Sequence, residues 1–365
     1  MRIRPEQLID QLYGPPPKKG QKNLEDFKKK NLPKPERPKA EALLELAEKA
    51  QLDLQTKLDH RAHQFNLPAS FKLEAPIPPD WLSEKHLEAL KDIFGQQNLE
   101  PMPLPSPDTL DDPDYQAMMY PKEQNPQDQN QGLISYRSSW WNESAQEITQ
   151  QPETWGQAYI RSLKEELTQL KNSFILIESI PKPNYTDGGQ HYGTKDGQDP
   201  QQDPLLPIFQ ETFGQDKNRF NYSHDELTEK LLPQIKRKII DQFQKQNLNF
   251  NPDQIQVTLT PAHLFNLQTS LNQSQNSQTN TWEWSSTPLL DKNNQDSGHR
   301  LNVGYSDRGG AANVDNDLRG DHWDSGGARL AVVFRSWHLK LNPFRLKPKT
   351  WSFQNWAWNQ AQFLV

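Results

Sequence analysis

The sequence predicts an α+β protein in which a helical N-terminal region precedes a small β core carrying long irregular loops. Three observations predict it. Apolar residues recur at helical intervals in several segments before residue 271, and from Thr281 onward short aromatic and alternating segments are broken by glycine. Between the helical segments lie intervals rich in Pro, Asn and Gln. At 365 residues the chain is long enough for two domains, each with its own core. Hydrophobic residues make up only 33%, so a good part of the chain is expected to be loop or linker.

Residues 1–39 hold Pro15-Pro16-Pro17, several lysines and few large apolar side chains, and are expected to form a flexible arm. From Ala40, Leu43, Leu44, Leu46, Ala47, Leu52, Leu54 and Leu58 recur as on an amphipathic helix. Ser83 can cap a second helix over 83–95, with Leu87, Leu90, Ile93 and Phe94 on one face. Pro101, Pro103, Pro105 and Pro107 then make 99–131 read as a long surface loop closing a helical region at 40–131. The region 132–334 opens with Leu133-Ile134-Ser135-Tyr136 and continues with a helix over Trp155–Leu170 and a buried strand at Phe174-Ile175-Leu176-Ile177. A glycine- and aspartate-rich loop follows, in which His191 is expected to be an exposed loop residue. Ser223 and Glu226 form a capping box for a long helix that Pro233 should kink, with Lys236-Arg237-Lys238 facing water. Val257-Thr258-Leu259 reads as a short strand, and Thr260-Pro261 starts a helix running to about Leu271.

A formal charge of −6 is modest for this length and gives no reason to expect nucleic acid as a partner. There is no cysteine, which removes disulfides, thiolate metal sites and cysteine nucleophiles together. With no apolar leader and no window of 18 apolar residues, no membrane insertion is expected, and a soluble, cytoplasmic protein is the default.

The sharpest signal is an exclusion. Lys, Glu, Gln and Met make up about a quarter of the chain, yet none occurs from His299 to Phe334. Turn preference explains missing glutamates but not the replacement of every Lys by Arg. Random replacement of the adenines of AAC or AAT codons explains both, because Lys, Glu, Gln, Met and Trp are then unreachable. Trp323 is the one exception and reads as a fixed framework residue.

Thr281-Trp282-Glu283-Trp284, Arg300-Leu301-Asn302-Val303-Gly304, Ser306-Asp307, Gly309-Gly310-Ala311 and the closing Gly327-Ala328-Arg329-Leu330-Ala331-Val332-Val333-Phe334 resemble the variable proteins of diversity-generating retroelements, known from bacteria and phages. The resemblance covers about 75 residues, roughly 260–334; Trp140-Trp141-Asn142-Glu143 and Pro152-Glu153-Thr154-Trp155-Gly156 are similar to the middle region of such proteins. It implies a C-type-lectin-like C-terminal domain of the formylglycine-generating-enzyme type, with a variable ligand-binding segment at 299–334. A Trp-rich tail at 335–365, with Trp337, Trp351, Trp356 and Trp358, departs from the family pattern.

On this reading the variable positions are Tyr305, Arg308, Asn313, Asp315, Asn316, Asp317, Arg319, Asp321, His322, Asp324 and Ser325. Trp282, Trp284, Gly309, Gly310, Trp323, Arg329, Leu330 and Phe334 form the framework. Such a surface could cover ~800 Å² of a partner, which suits a macromolecule, a protein or a surface glycan, better than a metabolite. No enzymatic role is expected, because catalysis in the related enzymes needs cysteine. Asp307, Asp315, Asp317, Asp321, His322 and Asp324 would suit a hard cation, but the spacing matches no EF-hand and the Glu-Pro-Asn and Gln-Pro-Asp triplets of calcium lectins are absent. A solvated acidic loop is the expectation, with no metal and no cofactor. The alternative is a structural or assembly protein without a diversified ligand.

Overall fold

Spacing by fours places Leu43, Ala47, Leu54, Leu58 and Ala62 on one face of a helix, and all five are buried along α1 (Arg37–Gln64). A computed structural model describes residues 37–67, 71–96, 98–120, 139–194, 196–271, 279–305 and 313–335. The N-terminal arm up to residue 36, Leu133–Tyr136 and the tail beyond Arg335 lie outside them. The helix begins three residues before Ala40, because Arg37–Lys39 already belong to it.

After β1 (Leu73–Glu74), α2 (Glu84–Phe94) buries His86, Ala89, Leu90 and Phe94, and Ser83 before it donates its backbone N–H to His86 Nδ1 (3.1 Å). The expected surface loop is not one over its described part. It forms β2 (Leu99–Pro101), β3 (Leu104–Pro105), a 3-10 turn (Pro107–Asp111) and α3 (Pro113–Met119). The reason is its apolar content: Met102, Leu110, Tyr115, Met118, Met119 and Tyr120 are all buried. The prolines sit where a missing N–H is harmless, Pro107 and Pro113 at first helical positions and Pro101 and Pro105 at strand ends.

Thr154 and Gln157 form a reciprocal cap for α4 (Trp155–Leu170), whose buried face leads into the wholly buried β4 (Ser173–Glu178). A short α5 (Leu206–Phe213) precedes α6, which spans 224–245. Pro233 stands at the start of the regular α-helical part of α6. Its clash with the preceding turn is absorbed by a π-helical segment over Leu227–Leu231. The chain ends its described part with β5 (Ile255–Leu259), α7 (Ala262–Leu271), β6 (Trp282–Leu290), β7 (Asp296–Tyr305), β8 (Asn313–Leu318), β9 (Gly326–Ala328) and β10 (Leu330–Arg335). The stretch between Gly304 and Ala328, rich in Asp, Asn, Gly and Arg and poor in strand signals, contains β8.

Two four-stranded sheets result. The first, β2-β4-β10-β5, is antiparallel throughout, and in its centre Val332 lies opposite both Leu176 and Val257. Alternation sends Ile175, Ile177, Ala331 and Val333 into one apolar cluster, with residues of α1, α3, α4 and α7. Phe174, Leu176, Leu330, Val332 and Phe334 enter the other, with α2, α5 and α6. The first cluster draws on residues from Leu54 to Val333, so the boundary expected at 131/132 does not separate two cores. The second sheet, β8-β7-β6-β9, is antiparallel except for the parallel pair β6 and β9, where Trp282 lies opposite Gly326. Arg329 alone separates β9 from β10, so the two sheets share one continuous turn of chain. No helix among the described residues is long and apolar enough to cross a membrane.

Gly327 of β9 has no room for a side chain, since a Cβ there would lie 2.1 Å from the Tyr192 hydroxyl. Gly327→Ala is therefore expected to destabilise the fold by about 1–3 kcal/mol in urea unfolding. Adding Tyr192→Phe should recover part of the loss; no recovery would place the strain elsewhere.

Candidate ligand-binding face

The support of this face is ionic and buried. Arg329, expected as framework, is fully buried, donating from Nε to Glu283 Oε2 (3.1 Å) and from Nη1 to the Glu178 carbonyl (2.8 Å). The Glu178 carboxylate in turn accepts the Leu330 backbone N–H (3.2 Å) and two bonds from Arg219 (2.9 and 2.8 Å). Arg219 also clasps Asp203, from Nε at 3.0 and 2.9 Å. Tyr192, with Arg219 over its ring at 4.6 Å, donates its hydroxyl to Glu283 Oε1 (3.2 Å). Close by, Lys182 Nζ donates to the carbonyls of Thr281 and Gly304 (2.7 Å each), and burial pushes its ammonium down to about 7. Gly304 has a φ of +98°, and a Cβ there would stand 2.5 Å from that Nζ.

Trp284 stands above this layer. It is buried, its indole N–H donates to the Tyr222 carbonyl (2.8 Å), and its outer face is covered by Trp323, stacked at 4.6 Å and 9°. Trp282 leans on Trp323 at 6.1 Å. Leu330 and Phe334 are buried in β10. These five framework expectations thus fall into two kinds: Trp284, Leu330 and Phe334 lie inside, while Trp282 and Trp323 are half-buried at the surface.

Trp282 and Trp323 wall a cleft of about 640 Å³ together with Tyr185 and Asn280. The rest of its lining is Asp315, Asp317, His322, Asp324 and Ser325, all five among the expected variable positions. Strand alternation explains the first pair, because Asp315 and Asp317 lie opposite Asn302 and Arg300 on one face of the sheet. Asn302 Nδ2 donates to Asp317 Oδ2 (3.2 Å). Alternation also corrects one expectation. Asn316 points to the other face, where its Oδ1 meets His299 Nδ1 (3.2 Å), and does not line the cleft. Arg319 and Asp321 are exposed outside it; Arg319 Nε lies 3.4 Å from Asp225. Arg308, Gly309 and Gly310, and the side chains of Tyr305 and Asn313, lie outside the described residues.

The loop from β8 to β9 is held by its backbone. Asp225 N donates to Arg319 O (3.1 Å), Asn221 N to Gly326 O (3.1 Å), Trp282 N to Ser325 O (3.0 Å) and Gly326 N to Trp323 O (2.9 Å). Such bonds do not depend on which side chains the loop carries. Tyr185 and Asn280 were not expected in the site. Asn280 Oδ1 accepts the Tyr185 N–H (2.6 Å) and its Nδ2 donates to the Tyr185 carbonyl (2.8 Å), which brings a distant loop to the cleft.

The cleft is acidic. Burial, then the nearby charges of Asp315 and Asp321, push Asp317 up to about 7; burial also raises Asp315. His322 lies 3.3 Å from Glu226 at the rim. On the same face of the sheet, Arg300 is paired with Asp296 (2.7 Å), and burial followed by Arg300 pushes His224 down to about 3. Among the described residues no group of three or more His, Asp or Glu is disposed to hold a metal ion. His191 is half-buried and carries an Nδ1 without a partner among the described residues.

Comparison with family models, curated proteins and solved structures returns no match.

Because Asp317 holds its proton more tightly in the folded chain than its ordinary value of 3.8, folding takes up a proton between about pH 4 and 7. The stability it contributes is complete below that window and lost as pH rises through about 7. Asp317→Asn should raise the melting temperature at pH 8 and leave it nearly unchanged at pH 4. Equal shifts at both would show that Asp317 does not titrate this way.

Proposed function

We propose that this protein is a diversified ligand-binding protein, displaying exchangeable side chains on a C-type-lectin-like scaffold to bind a macromolecular target. The observation that carries the reading is a coincidence of two independent patterns. Codon chemistry selects Asp315, Asp317, His322, Asp324 and Ser325 as exchangeable, and the same five line one cleft. The backbone anchoring of the β8–β9 loop supports it, because exchange of these side chains leaves those bonds in place. So does the separation of roles: Trp284, Arg329, Leu330 and Phe334 are buried beneath the face they carry.

The scaffold reading rests on the motifs that frame the cleft. Thr281–Trp284 leads into β6, Arg300–Gly304 lies in β7, and Gly327–Phe334 supplies β9, Arg329 and β10. The mixture of acids, hydroxyl and indole suits a protein target, where aromatic side chains give area and small polar ones adapt. Catalysis is not part of the proposal.

Sequencing of codons 299–334 across a population, with the neighbouring DNA, tests the reading. Adenine-directed substitutions should gather at the eleven named codons and spare Trp323, Leu330 and Phe334, beside a near-identical template copy. Identical codons in independent populations, with no template, would overturn it. At the protein level, simultaneous exchange of Asp315, Asp317, His322, Asp324 and Ser325 for Asn or Ser, measured at pH 4 where Asp317 is protonated, should move the melting temperature by less than about 4 °C. A collapse of the fold would make these residues framework.

A further inference from the structure

We infer that the cleft receives the cationic end of a lysine or arginine side chain presented by a protein partner. The inference deepens the proposed function and rests on the reading of this face as a binding surface.

Three aromatic walls come from three separate elements: Tyr185 from the loop after β4, Trp282 from β6, and Trp323 from the loop before β9. Trp323 is stacked on the buried Trp284, so its ring is fixed before a ligand arrives. Ring faces of this kind attract ammonium and guanidinium groups. Between the walls stand Asp315, Asp317 and Asp324, which can accept charge-assisted hydrogen bonds. Among the described residues lining the cleft there is no Lys or Arg.

A second observation lies beneath these carboxylates. Asn302 is fully buried on the same face of β7, its amide nitrogen held by Asp317, and its Oδ1 has no hydrogen-bond partner among the described residues. A buried acceptor without a donor is costly, and this one lies beneath the cleft lining, beside Asp317. Asp315 and Asp317 stand side by side on one face, a pair that a cationic N–H group would balance; burial first, and then the charges of Asp315 and Asp321, raise the Asp317 carboxyl.

The chemistry favours an organic cation over a divalent ion. No three ligating side chains converge among the described residues, and indole faces offer nothing to a hard cation. A volume of about 640 Å³ exceeds the end of one side chain, leaving space for the peptide that presents it. Exposed Arg319 and Asp321 outside the cleft are placed to meet the rest of a protein surface.

The test uses the full chain, labelled with 15N, and capped tripeptides Gly-X-Gly in which X is Lys, Arg, norleucine or Glu. Indole resonances of Trp282 and Trp323, assigned from Trp282→Phe and Trp323→Phe, report the titration. The Lys or Arg peptide should shift them and bind at least about tenfold more tightly than norleucine or Glu. Asp315→Asn with Asp324→Asn should reduce that binding by about tenfold or more while the remaining spectrum stays that of the folded chain. Equal binding of Lys and norleucine, binding untouched by the double substitution, or saturation by calcium chloride with no response to basic peptides would each overturn the inference. If the codons vary as proposed and basic peptides fail, only this inference falls. If the codons are invariant and basic peptides bind, diversification falls and the cation site stands.

Discussion

A set of charges with no access to water holds this fold together. Glu178 ends a strand of the first sheet, Glu283 lies in the second, Arg329 stands at the junction between them, and Arg219 and Asp203 come from the loops that flank α5. Isolated, each would be strongly disfavoured in the interior, and the attraction of partners offsets that cost, although Arg329 Nη2 has no partner among the described residues. The arrangement therefore has little tolerance for displacement. It fixes β4, β6, β9 and β10 relative to one another in a way that the apolar clusters on either side of the first sheet, being non-directional, do not.

From that rigidity follows the division of labour on the outer face. Trp284 is anchored from below, Trp323 is stacked on it, and the loop carrying His322 to Ser325 is fastened by main-chain bonds to β6 and to the start of α6. The side chains that line the cleft make no contribution to the ion cluster. On the proposed reading these side chains serve recognition, and their surplus of carboxylates favours a cationic ligand.

Much of this was legible in the sequence where one physical signal dominated. Helical apolar spacing after Thr154 marked α4, and a continuous apolar run marked β4, which is buried on two faces. Where signals competed, the reading failed. Prolines over 101–107 outweighed Met102, Leu110 and Tyr115, although prolines at first helical positions and strand ends are compatible with a packed segment. Strand β8 was invisible because Asn313-Val314-Asp315-Asn316-Asp317-Leu318 has poor strand propensity, and its ladder with β7 supplies what the residues lack. The codon rule found five cleft residues but included Asn316, which alternation turns away. Tyr185 and Asn280 gave no sequence signal, since they reach the cleft through bonds across nearly a hundred residues of chain. Asp203 and Arg219 carried no signal of burial in the sequence; Glu178, an acid closing an apolar strand, is the residue that could have pointed to a buried partner.

Hydrogen exchange on the full chain carrying Arg219→Met tests the central claim most directly, because it removes one cation and leaves two carboxylates buried without it. If the ion cluster couples the sheets, amides of β4 and β10 in one and of β6 and β9 in the other lose protection together, by about 3–5 kcal/mol. Loss confined to the loop between Asp203 and Arg219, with both sheets protected as in the parent chain, would contradict it.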